Sequence, residues 1–155
     1  MIIVEDGSNV TGANSYVTEA ELTAYAVARG ITLATNTEQL LIKSMDYLES
    51  LQFNGSKAEE TQPLQWPRTG VYIDGYYVTE STIPDLLKNS LNAICLEIEA
   101  GVNPLSTIDR ETSSETVGPV SVTYKNGSSA SSISRSITAQ LRKLLSNSGG
   151  FALIR

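Results

Sequence analysis

The stretch 64–75, LQWPRTGVYIDG, and the residues just after it hold side chains suited to gripping flat, charged ligands. Trp66 is the sole tryptophan, Pro67 follows it directly, Arg68 supplies a cation, and Tyr72, Tyr76 and Tyr77 add three phenol rings. Aromatic faces beside a guanidinium can stack unpaired bases, because every base has a π face and Arg adds cation–π attraction. The same residues also suit a packed corner, in which Trp66 fills the core, Pro67 fixes the exit angle and the tyrosines line a small sheet. Arg68 is the only basic residue in the cluster, and Asp74 and Glu80 flank it. Stacking without a cationic track is weak, so the charge balance favours the packed corner.

Catalytic chemistry finds little support. The chain has no histidine, which removes the commonest general base and metal ligand along with Ser-His and Cys-His nucleophile systems. Cys95 is the only cysteine, so no intrachain disulfide or Cys-based zinc site is expected, and its apolar run Leu91–Leu96 reads as a buried thiol. Glu97 and Glu99 fall on different faces of a helix, and Asp109 and Glu111 sit in a polar segment without fixed partners. Asp74-Gly75 is what a tight turn needs on backbone grounds. No Gly-rich phosphate loop or nucleophile elbow is present. The expectation is therefore no catalytic residue, no cofactor and no metal, in a protein that is not an enzyme.

The 155 residues are 41% hydrophobic, which suits one domain with a modest core. Eleven basic residues stand against 17 acidic ones, a net charge of −6. Proteins that neutralise phosphates generally carry the opposite sign. No apolar run reaches transmembrane length, and the start MIIVEDGSNV lacks a basic n-region, so neither a membrane partner nor a signal peptide is expected, and the protein is expected to be made in a cytoplasm.

Four helices should position these residues. Thr18 to Glu21 forms a capping box ahead of Leu22, Tyr25, Ala26 and Arg29, with Gly30 as the stop. Thr37 is read as the N-cap of a second helix, with Leu40, Leu41, Ser44, Met45, Leu48 and Leu51 on one stripe and Asn54-Gly55 closing it. A polar loop over 54–64 follows. Val71 to Val78 is read as two short strands turning at Asp74-Gly75. The third helix has Ser81 or Thr82 as cap, Pro84 in its first turn, and Leu87, Leu91, Ile94, Cys95 and Ile98 as the buried stripe up to Gly101.

Beyond Pro104, LSTIDRETSSET reads as a polar, mobile loop. Val120, Val122 and Tyr124 alternate with Ser121 and Thr123 as an amphipathic strand, and NGSSASSISRS reads as a flexible Ser-rich loop. A last helix carries Ile137, Leu141, Leu144 and Leu145, with Arg142 and Lys143 near its end. Gly149-Gly150 then begins a tail, 149–155, whose Phe151, Leu153, Ile154 and Arg155 suit either folding back onto the core or docking into a groove of another subunit. The fold class expected is α+β, mainly helical, with about four helices and a few short antiparallel strands in one domain, 1–155.

Four stretches carry a family resemblance: VEDGSNVTGANSYVTEAELTAYAVARG, SMDYLESLQFNGSK, LQWPRTGVYIDG and IPDLLKNSLNAICLEIEAG. They resemble a family of tailed-phage proteins that bears the label DnaT-like single-stranded-DNA-binding protein, W-P-R-T-G being the most specific element. The gene neighbourhood and architecture of such proteins resemble those of head–tail connector adaptors. The resemblance implies a virion structural protein: a dodecameric ring of identical copies beneath the portal, continuing the DNA channel towards a tail-completion or tail-terminator protein. Genomic DNA would pass through without sequence-specific binding, and an acidic inner face would let it slide. Trp66 and Arg68, together with Phe151, Leu153, Ile154 and Arg155, would then serve the portal or subunit interface. The family label itself implies instead a replication accessory that binds single-stranded DNA.

Overall fold

The computed structural model describes residues 1–105, 114–117, 120–123 and 133–146. Their helices are α1 (Glu19–Val27), α2 (Thr37–Glu49), α3 (Asp85–Glu99) and α4 (Arg135–Leu141). Three antiparallel strand pairs accompany them: β1 (Ser56–Lys57) with β2 (Arg68–Thr69), β3 (Tyr72–Ile73) with β4 (Tyr76–Tyr77), and β5 (Ser114–Val117) with β6 (Val120–Thr123). The architecture is α+β with helices predominating.

Helix α1 starts on the capping box read from sequence: Thr18 accepts from the Glu21 N–H, and the Glu21 carboxylate accepts from the Thr18 N–H. Gly30, at φ +69°, ends the segment in the left-handed region. Helix α2 is capped by Asn36 rather than Thr37, because the Asn36 Oδ1 accepts from the Gln39 N–H and leaves Thr37 inside the first turn. It ends at Glu49, with Ser50 as its C-cap, several residues before Asn54-Gly55. Helix α3 begins after Pro84, which takes the N-cap position without a side-chain cap. Neither Ser81 nor Thr82 is the cap, because the helix starts later, at Asp85, and the Thr82 hydroxyl lies instead within hydrogen-bond distance of the Thr79 hydroxyl.

The core lies where α2 and α3 pack together, joined by α1 and α4. Leu40, Leu41, Met45 and Leu48 meet Leu87, Leu91, Ile94 and Cys95, while α4 contributes Ile137 and Leu141. Burying each such side chain is worth about 1.5–3 kcal/mol, which makes this seam the main source of stability. Cys95 is fully buried, and the Ser44 hydroxyl reaches its sulfur at 3.1 Å. Burial pushes the thiol up to about 12, so it stays protonated and inert at neutral pH.

The first residues run into a turn-rich loop that folds back on them. Val4 and Ser15 make a single parallel bridge, and the buried Glu5 carboxylate accepts from the N–H groups of Gly7, Asn9 and Val10. Two loops of the sequence reading hold strands instead. Residues 114–117 pair in register with 120–123, Val117 opposite Val120, which gives the β-branched Thr and Val a ladder. Ser56–Lys57, within the 54–64 loop, pairs with Arg68–Thr69. The tail 149–155 and most of the Ser-rich loop lie outside the described residues, as does Tyr124.

Candidate nucleic-acid interface

Trp66 is buried to 0% exposure, against Phe53 with ring centroids 6.0 Å apart and planes at 79°. The Trp66–Pro67 peptide is cis. A buried polar group holds this corner from the helix side. The Tyr16 hydroxyl donates to Glu49 Oε1 and accepts from the Trp66 N–H at 3.1 Å, while Glu49 Oε2 accepts from the Gln65 N–H at 2.8 Å. Burial first, and the Glu49 charge second, hold the Tyr16 phenol far above its usual value, so it stays a donor throughout the working pH range. Burial also raises Glu49 above the usual carboxylate value of 4.5, against the downward pull of the Tyr16 and Gln65 hydrogen bonds and the Lys57 and Arg68 charges.

Arg68 turns inward as well. Its Nε donates to the Asn54 carbonyl at 2.7 Å, its Nη2 to the Phe53 and Gly55 carbonyls, and its Nη1 to the Gln65 carbonyl and side chain. The five-donor fork of a guanidinium suits this task, since it satisfies carbonyls of both the 53–55 and 65–68 segments at once. Gly55 is required at the junction. Its φ is +72°, and a Cβ there would stand 2.1 Å from the Thr69 carbonyl oxygen. The clamp extends further, because the Asn54 N–H donates to the Leu144 carbonyl and the Ser146 N–H to the Gln52 carbonyl. Trp66 and Arg68 therefore belong to the interior of the chain, and any service at an interface runs through the loop they hold. Phe151, Leu153, Ile154 and Arg155 lie outside the described residues.

The tyrosines behave differently. Asp74 and Gly75 both take positive φ, 52° and 87°, and close a two-residue hairpin between β3 and β4. Val71 is buried at its base, where its carbonyl accepts from the Val78 N–H. Tyr72 is 62% exposed, Tyr76 80% and Tyr77 49%. Tyr72 and Tyr77 are cross-strand partners on one face, with ring centroids 5.5 Å apart and planes at 62°. Thr69 Oγ1 and the Tyr77 hydroxyl stand 3.5 Å apart, and Ile73, opposite Tyr76, packs on the core.

A cation reaches this hairpin from a distant part of the sequence: Lys143 Nζ stands 2.8 Å from Asp74 Oδ2. The sequence reading placed only Arg68 in the cluster and missed Lys143, since no local signal marks a contact spanning 69 positions. Exposed rings and a nearby ammonium group together can stack bases and meet a phosphate. Base–aromatic stacking is worth about 1–3 kcal/mol per base. Among the described residues no three His, Cys, Asp or Glu side chains group as a metal site, and no helix is long and apolar enough to cross a membrane.

Helices around a shared core, with an exposed aromatic hairpin beside a clamped loop, make up this α+β fold. A family model described as "Putative DnaT-like ssDNA binding protein" matches residues 1–155, and the chain belongs to that family. No curated protein and no solved structure matches the chain.

Proposed function

We propose that this protein binds single-stranded DNA by stacking bases on Tyr72 and Tyr77, with Tyr76 at the hairpin tip and Lys143 facing the phosphate backbone. The observation that carries the reading is the exposure of Tyr72 and Tyr77 side by side on one face of the hairpin, with Tyr76 exposed near its tip on the other face, in a chain whose family bears a DNA-binding description. Large amphipathic rings left in water beside a lysine suit a ligand that has both a flat face and a negative charge. The acidic surface elsewhere keeps non-specific attraction weak and confines contact to the hairpin. Titrating an unlabelled oligodeoxythymidylate into isotope-labelled protein should move the amide resonances of residues 71–78 and of Lys143. Shifts confined to other regions would refute the assignment.

A second reading is favoured by the net charge of −6: a head–tail connector subunit, in which the same tyrosines face a protein neighbour. Tyrosine is enriched at protein interfaces, and an acidic ring would repel passing DNA rather than hold it. Its proposed partners are the portal, further copies of this chain in a ring, and a tail-completion protein. Cosedimentation with portal rings from the same genome tests it, and a folded protein that stays in the supernatant would rule it out.

A further inference from the structure

We propose that Asp74 is a built-in stand-in for phosphate, which occupies Lys143 until a DNA strand displaces it. The inference rests on reading the hairpin as a single-strand site. Asp74 holds the first turn position at φ 52°, so the backbone fixes the direction in which its side chain leaves the turn. Lys143 is anchored from the other side. The neighbouring Leu144 is buried, and its carbonyl accepts from the Asn54 N–H within the loop that Arg68 clamps. Both ends of the 2.8 Å ion pair thus stand on braced backbone, while the charged groups themselves remain exposed, 51% for Lys143 and 63% for Asp74.

A carboxylate and a phosphodiester present the same chemistry to an ammonium group: an anionic oxygen that accepts its N–H donors. A strand stacking on Tyr72 and Tyr77 meets a lysine already neutralised and a carboxylate that repels it. Exposed ion pairs are weakly held, so a polyanion can exchange with Asp74, but the exchange lowers its affinity. Asp74 would thereby limit retention of any strand on the hairpin.

The test is Asp74→Asn, read by oligodeoxythymidylate affinity at several salt concentrations. Asn adopts positive φ readily, so the turn survives while the competing charge goes. Affinity should rise by about two- to fivefold, the range set by an exposed ion pair. It should also fall more steeply with salt, because no freed carboxylate recaptures a cation. Asp46→Asn, an exposed change on α2 with the same effect on net charge, should leave affinity near the wild-type value. Asp74→Asn in a Lys143→Ala background should give a clearly smaller gain, since only the carboxylate's repulsion of the strand is then removed and no lysine is freed. An equal gain in both backgrounds would contradict the stand-in role. If wild-type protein binds and Tyr72→Ala weakens it, yet Asp74→Asn changes nothing, the stand-in role is wrong and the hairpin site survives. If neither wild type nor Asp74→Asn binds, both the role and the site fall.

Discussion

Tyr72 and Tyr77 face each other across the β3–β4 hairpin, edge against face at 5.5 Å, and both rings stay open to solvent. The pair stiffens the hairpin, since such contacts add about 0.5–1.5 kcal/mol beyond burial. It also leaves π surface exposed. Trp66, a few positions earlier, has the opposite fate, and the difference separates structural from surface aromatics in one short stretch.

Trp66 should matter for stability and not for DNA. Trp66→Ala empties the largest fully buried side chain from a core corner beside Phe53, and should cost about 3–5 kcal/mol in urea unfolding followed by circular dichroism. Trp66→Phe should fold with a smaller loss and keep oligonucleotide affinity unchanged. A marked loss of affinity in folded Trp66→Phe would show that the indole reaches the ligand.

Arg68→Lys should be damaging despite keeping the charge. One ammonium group cannot replace donations to the carbonyls of Phe53, Asn54, Gly55 and Gln65. We expect a loss of about 2–3 kcal/mol, with faster amide exchange at Asn54 and Ser146, whose bonds to Leu144 and Gln52 depend on the clamped loop. Unchanged exchange at those two amides would mean that the clamp does not extend to the α4 segment.

Glu49 gives the corner a defined pH response. Its folded-state pKa is raised above 4.5, chiefly by burial, so the folded protein holds that proton more tightly than the unfolded chain does. The resulting stabilisation is fully present below about pH 4.5 and is lost as pH rises through the folded value. Glu49→Gln cannot titrate and places an NH₂ group where the Gln65 N–H needs an acceptor, so it should be less stable than wild type throughout. The gap between the two should narrow as pH rises from about 4.5. A gap that widens over that range would contradict the burial assignment.

The sequence made the helical frame legible because its signals are local. The Thr18–Glu21 box, the apolar stripes of α2 and α3 and the Asp74-Gly75 turn each depend on neighbours a few positions apart. Caps were less legible, since Asn36 and Thr37 are both good caps and only the backbone at Asn36 decides between them. The 114–117 strand was hidden because its polar composition resembles a loop, and its partner 120–123 supplies the ladder. In the site, the tyrosines were visible but their exposure was not. The Tyr16–Glu49 brace and the Lys143–Asp74 pair join residues far apart in sequence, and no spacing rule announces them.

The most direct measurement is a fluorescence-anisotropy titration of a labelled oligodeoxythymidylate with wild type and with the Tyr72→Ala/Tyr77→Ala double variant, both shown to be folded. The hairpin account expects saturable, salt-sensitive binding by wild type and a loss of roughly tenfold or more in the variant. Equal binding by both proteins, or none by wild type at low salt, would contradict it.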